Sequence, residues 1–171
     1  LEQAKQVIAS SDPSKPLAIL HLLNKVTREQ LHWLWPGRIP LGKLTLLAGD
    51  PGLGKSFVTL DIAARVSRGE RWPDNPLSKQ PAGKVILLNC EDDLGDTIAP
   101  RLDKANADDT KIIALDGISM MGNRRHFSLE SDIPRLEEVL NDHAGVRLIV
   151  IDPISGYLGK TDSHKNSEVR G

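Results

Sequence analysis

The chain has 171 residues, with 22 basic against 23 acidic side chains and a formal net charge of −1. One domain is expected at that length, burying roughly 70% of the unfolded surface, and the charge balance gives no argument from bulk charge for nucleic acid or an anionic membrane. A single cysteine excludes an internal disulfide and points to a reducing, cytoplasmic setting, and no apolar run approaches the ~20 residues of a membrane span.

Residues 1–36 read as an N-terminal arm or linker. Two short helical patterns, around 4–9 and 17–23, are separated by the breakers Asp12, Pro13 and Pro16. Residues 37–171 read as a second region, in which short apolar runs alternate with helical patterns. The apolar run at 44–48, bounded by glycines, suits a buried strand. Residues 49–54 are glycine-rich. Residues 55–68 then carry Val58, Ile62, Ala63 and Val66 at helical spacing, with Gly69 placed to cap the helix.

Residues 70–83 hold three prolines and read as a loop. A second buried strand is expected at 85–88, running into Asn89-Cys90-Glu91-Asp92-Asp93. A helix follows at 97–105, provided that Pro100 lies in its first turn. A weaker strand at 112–115, a loop at 117–126, a helix at 133–143 and a fourth strand at 147–151, ending in Asp152, complete the pattern. Strands alternating with helices imply a mostly parallel sheet covered on both faces, an α/β architecture.

Gly49-Asp50-Pro51-Gly52-Leu53-Gly54-Lys55-Ser56 fits the P-loop pattern in full, with a strand expected before it and a helix after it. Glycines let the backbone turn successive N–H groups toward phosphate oxygens. The helix beginning near Lys55 adds the positive end of its dipole. Lys55 would reach the β- and γ-phosphates of ATP, Ser56 would ligate Mg²⁺, and Phe57 follows in the same nucleotide-binding stretch. Asp152, closing a strand downstream, stands where a Walker B acid would hold Mg²⁺ opposite Ser56.

Glu91 closes the preceding strand, at the sheet edge where ligands of parallel sheets bind, and could polarise the water that attacks a γ-phosphate. The spacing also suits a solvated acidic turn in which Asp93 or Asp96 caps the next helix, and residue order alone leaves both readings open. Cys90 reads as a small buried residue rather than a nucleophile. The five histidines show no metal-ligand spacing, so zinc is not expected. Arg124, Arg125 and His126 form a short basic cluster. Lys160 and Lys165 follow Asp152 and are possible contacts to a DNA backbone, although solvated loop charges are the commoner explanation for all of these.

Three stretches together resemble the RepA-type, RecA-like P-loop ATPases, a group that includes hexameric plasmid-replication helicases and related AAA-domain proteins. They are residues 33–42 running into the P-loop, the acids 91–93 after a strand, and Asp152-Pro153-Ile154 followed by Asn166-Ser167-Glu168-Val169-Arg170. The resemblance covers residues 33–171. It implies a RecA-like core, ATP hydrolysis, a homo-oligomeric (hexameric) ring and 5′–3′ movement on single-stranded DNA. It favours Glu91 as the water-activating residue and suggests Arg101 as a nucleotide contact.

It also implies a further strand between those of the P-loop and of Asp152. The chain opens at Leu1 and stops at Gly171, just after the opening of a helix. The expectation is therefore a piece of a longer protein, truncated before its last core strands, that binds nucleotide weakly and turns it over slowly. Two alternatives stay open: an ATP-gated oligomerisation or loader module without unwinding activity, and a recombinase-type filament.

Overall fold

The computed structural model describes residues 6–7, 19–77 and 79–158. The chain divides into two units, Leu1–His32 and Trp33–Gly171. In the first, β1 (Gln6–Val7) pairs antiparallel with β2 (Ile19–Leu20), and Leu23–Lys25 make one 3-10 turn. Where these residues are described, short strands replace the two expected helices. The apolar runs are too short to offset the cost of helix nucleation, and the prolines between them prevent a merger. Every described side chain from residue 19 to residue 32 is exposed.

The second unit opens with a hairpin of β3 (Trp33–Trp35) and β4 (Ile39–Pro40). Residues 33–36 therefore belong with this unit rather than with the arm, because Leu34 lies in its core and is 2% exposed. The Trp35 and Trp72 rings stack at 4.5 Å between centroids, and the Arg38 guanidinium lies 5.2 Å from the Trp35 ring. Trp35 Nε1 and Arg38 Nε both donate to the carboxylate of Asp74, at 2.7 and 2.9 Å. Trp72 Nε1 donates to the Leu34 carbonyl. This cluster clasps the hairpin to the loop that follows the first helix.

That helix, α1 (Lys55–Arg68), begins where the P-loop ends. Its buried side is Leu60, Ala63, Ala64, Val66 and Ser67, whereas Val58 faces solvent. Gly69 ends it in the left-handed conformation, φ +67°, and its N–H returns to the Arg65 and Val66 carbonyls. A Cβ at Gly69 would stand 2.5 Å from the Gln80 carbonyl oxygen, so only glycine fits this cap.

The sheet has three parallel strands in the order β6 (Ile112–Ala114), β5 (Lys84–Asn89), β9 (Val146–Asp152). Along β5, Val85 and Leu87 face α1 and α2 (Ala99–Lys104), packing with Leu60, Ala63, Val66, Ile98 and Leu102. Ile86 and Leu88 face the other way, toward α3 (Ile133–Asp142), and meet Phe127, Leu136 and Tyr157. Period-2 alternation thus fills two layers from one strand, each buried aliphatic side chain contributing about 1.5–3 kcal/mol. The result is an α/β sandwich compatible with a P-loop NTPase fold.

Residues 44–48, expected as a buried strand, are not one. They pair with no described strand, and Leu44, Leu46 and Leu47 are exposed. Apolar composition supplies a preference for extended backbone, but a strand needs a ladder partner for its N–H and C=O groups. β9 pairs with β5 along one edge, and among the described residues nothing pairs with its other edge.

The loop expected at 117–126 contains a hairpin, β7 (Ile118–Met120) with β8 (Asn123–Arg125). Its Arg125 forms a two-pronged ion pair with Asp132, both bonds 2.6 Å, at the start of α3. The guanidinium and the Ser128 N–H hold the Asp132 carboxyl down to about 2.

Candidate active site

Gly52 and Gly54 take φ values of +80° and +78°, the left-handed region open to glycine at little cost. The loop they shape delivers the chain into the first turn of α1, whose leading N–H groups have no partner four residues back and point out of the helix end. Lys55 Nζ folds over this loop and donates to the Gly49 and Asp50 carbonyls, both at 2.9 Å. The ammonium is therefore held beside the same turn that presents the N–H groups.

The parallel register sets Asn89 of β5 opposite Asp152 of β9, so both strand ends open onto one edge of the sheet. Because α1 packs across β5, its first turns reach that edge. One narrow crevice there is lined by Ser56, Thr59, Asn89 and Asp152, with Leu60 and Val150 behind them. Thr59 Oγ1 lies 3.1 Å from Asp152 Oδ2 and 3.0 Å from the Ser56 carbonyl oxygen.

The three consecutive acids have separate environments. Asn89 Oδ1 accepts from the N–H groups of Glu91 and Asp92, at 3.1 and 2.8 Å, and so turns the chain sharply at the strand end. Asp92 accepts from Arg101 Nη1 at 2.7 Å. Asp93 accepts from the N–H groups of Asp96 and Gly95, which cap a wide helical turn (Leu94–Ile98) leading into α2 and lower the Asp93 carboxyl below its usual value. Glu91 is exposed, and its carboxylate has no hydrogen-bond partner among the described residues.

Arg101 joins this acidic turn to the P-loop helix. While paired with Asp92, its guanidinium lies 4.7 Å from the Phe57 ring, one residue past Ser56. Pro100 takes the second position of α2, where a missing N–H costs least. Cys90, expected to be buried, is exposed, because β5 ends at Asn89 and the residue after it already lies in the turn; partial desolvation still pushes its thiol up, away from the thiolate a nucleophile needs. Arg124 and Arg125 are engaged with Asp116 and Asp132. Lys160 and Lys165 lie outside the described residues.

The profile of the AAA domain family matches residues 10–171, nearly the whole chain. The chain belongs to the AAA domain family. No curated protein and no solved structure shows significant similarity to it. Membership makes this chain a P-loop, nucleotide-binding domain of the AAA ATPase type. No described helix of this AAA domain is long and apolar enough to cross a membrane.

Such domains usually use Mg²⁺, and the donors present fit it. A serine hydroxyl and an aspartate carboxylate line one crevice, both hard oxygen ligands. Among the described residues no group of three or more His, Cys, Asp or Glu forms a cage of its own. That suits an ion held by one or two protein oxygens together with substrate phosphates.

Two participants were not singled out in the sequence. Thr59 stands one helical turn past Ser56, a spacing that places both on one side of α1. Asn89 closes β5 with a side chain able to turn the backbone two and three residues on.

Proposed function

We propose that this domain hydrolyses ATP with Mg²⁺ as a RepA-type, RecA-like motor coupled to single-stranded DNA, assembling as a ring of like subunits. The observation that carries the hydrolytic part is that Ser56, at the end of the P-loop, lines one crevice with Asp152 and with Asn89, the strand-end residue two before Glu91. When bound, Mg²⁺ would neutralise charge on the β- and γ-phosphates.

The chain's own groups supply the rest. The N–H groups of the P-loop turn cradle the phosphates, and Lys55 exchanges its loop carbonyls for phosphate oxygens. Ser56 and Asp152 hold the metal side. Glu91, whose carboxylate is uncommitted, accepts a proton from the water that attacks the γ-phosphorus in line, and ADP departs as the leaving group. Arg101, whose guanidinium lies over the Phe57 ring, would contact the nucleotide.

Coupling to DNA rests on the resemblance of residues 33–171 to RepA-type ATPases. One observation favours the second reading, an ATP-gated oligomerisation or loader module: Arg38, Arg65, Arg101, Arg124, Arg125 and Arg135 are all ion-paired. Paired guanidiniums are poor counterions for a phosphate backbone.

ATP turnover with and without single-stranded DNA separates the two. The motor reading expects DNA to accelerate turnover severalfold, and the acceleration to shrink as salt rises. Turnover indifferent to DNA, with nucleotide still bound, supports the gated module.

A further inference from the structure

We propose that Thr59 is the positioning residue that holds Asp152 against the first turns of α1 and so sets the affinity of this site for its divalent cation. The inference rests on the reading of Ser56 and Asp152 as the Mg²⁺ side of the ATP site. Thr59 Oγ1 is within hydrogen-bond distance of two acceptors, Asp152 Oδ2 and the Ser56 carbonyl. A hydroxyl has one proton to donate.

The Ser56 carbonyl has an alternative donor, the N–H four residues on in α1, whereas Asp152 Oδ2 has no other donor among the described residues. The carboxylate is also the stronger acceptor because it is charged. The proton therefore goes to Asp152, and Thr59 ties a strand-end carboxylate to the helix that carries Ser56.

The consequence is geometric. Asp152 Oδ2 is occupied by the helix, which leaves Oδ1 as the oxygen free for a cation or its water. The link spans 93 residues of sequence and joins β9 to α1 at the crevice that both line. Without it the carboxylate can rotate about its last bond, and the two cation-facing oxygens lose their fixed spacing. Outer partners that orient metal ligands in this way typically carry about 10–100-fold in metal affinity.

The test replaces Thr59 by Val, which keeps the shape and removes the hydroxyl, by Ser, which restores it, and by Ala, the best helix former, in case valine perturbs α1. Binding of Mn²⁺ with ADP present is followed by the loss of the free-ion paramagnetic resonance signal, and ADP binding in EDTA is measured in parallel. Thr59→Val and Thr59→Ala are expected to weaken Mn²⁺ binding about tenfold, with metal-free ADP binding unchanged and Thr59→Ser close to wild type.

Wild-type Mn²⁺ affinity in both Thr59→Val and Thr59→Ala would overturn the assignment. So would a loss that Thr59→Ser fails to restore, because a packing role would not need the hydroxyl. A wild-type protein that binds ADP but takes up no Mn²⁺ with it would instead overturn the underlying reading of Ser56 and Asp152.

Discussion

Replacing Glu91 by Gln lowers ATP turnover by about 10²–10⁴-fold, the usual contribution of a positioned general base, while Mg-nucleotide binding changes little. The substitution keeps the size and the hydrogen-bonding shape of the side chain and removes only its ability to take a proton. The neighbouring acids serve as internal controls, since their carboxylates are already engaged. Asp92→Asn weakens the Arg101 link and Asp93→Asn loosens the cap ahead of α2. Neither is expected to cost a comparable factor. Steady-state phosphate release checks all three, and Glu91→Gln turning over at the wild-type rate would remove Glu91 from the mechanism.

Lys55→Ala acts earlier, on binding and on chemistry together. Nζ bonds the carbonyls of Gly49 and Asp50, so the ammonium steadies the loop, and in the proposed mechanism it is also the phosphate cation. Losing a charge-assisted hydrogen bond of about 1.5–3 kcal/mol corresponds to roughly 10–150-fold in affinity. Removing a preorganised stabiliser of transition-state charge adds about 10²–10³-fold in turnover. Titration calorimetry with ADP, followed by turnover at saturating ATP, measures the two losses separately. Affinity within twofold of wild type would mean that Lys55 stays parked on its carbonyls when nucleotide binds.

The parts of this site that were legible in the sequence are those encoded by local spacing. The P-loop announces itself because backbone curvature, helix start and phosphate cation must all fall within eight residues. Gly69 marks the end of α1 because the left-handed cap needs glycine, and β5 stands out because both of its faces are buried. Asp152 stood out at the end of a strand only because a P-loop lies upstream of it.

What escaped was non-local. Whether residues 44–48 form a strand depends on a ladder partner, and five apolar residues carry no information about that. The environments of Glu91, Asp92 and Asp93 separate only once Arg101 comes alongside from α2 and Asn89 turns the chain. The clasp of Trp35, Trp72 and Asp74 joins residues 37 to 39 apart in sequence. The β7–β8 hairpin was hidden for a different reason. Its two-residue turn, Met121-Gly122, takes positive φ at both positions (+51° and +81°), a shape that Asn-Gly normally signals and Met-Gly does not.

The claim underneath all of this is that phosphate sits on the turn made by residues 49–56. Amide chemical shifts of the ¹⁵N-labelled protein, titrated with ADP and Mg²⁺, test it without requiring turnover. The account predicts the largest shifts at Gly52, Gly54, Lys55 and Ser56, with smaller ones at Phe57 and at the strand ends carrying Glu91 and Asp152. Shifts concentrated elsewhere, with residues 49–56 unmoved, would contradict it.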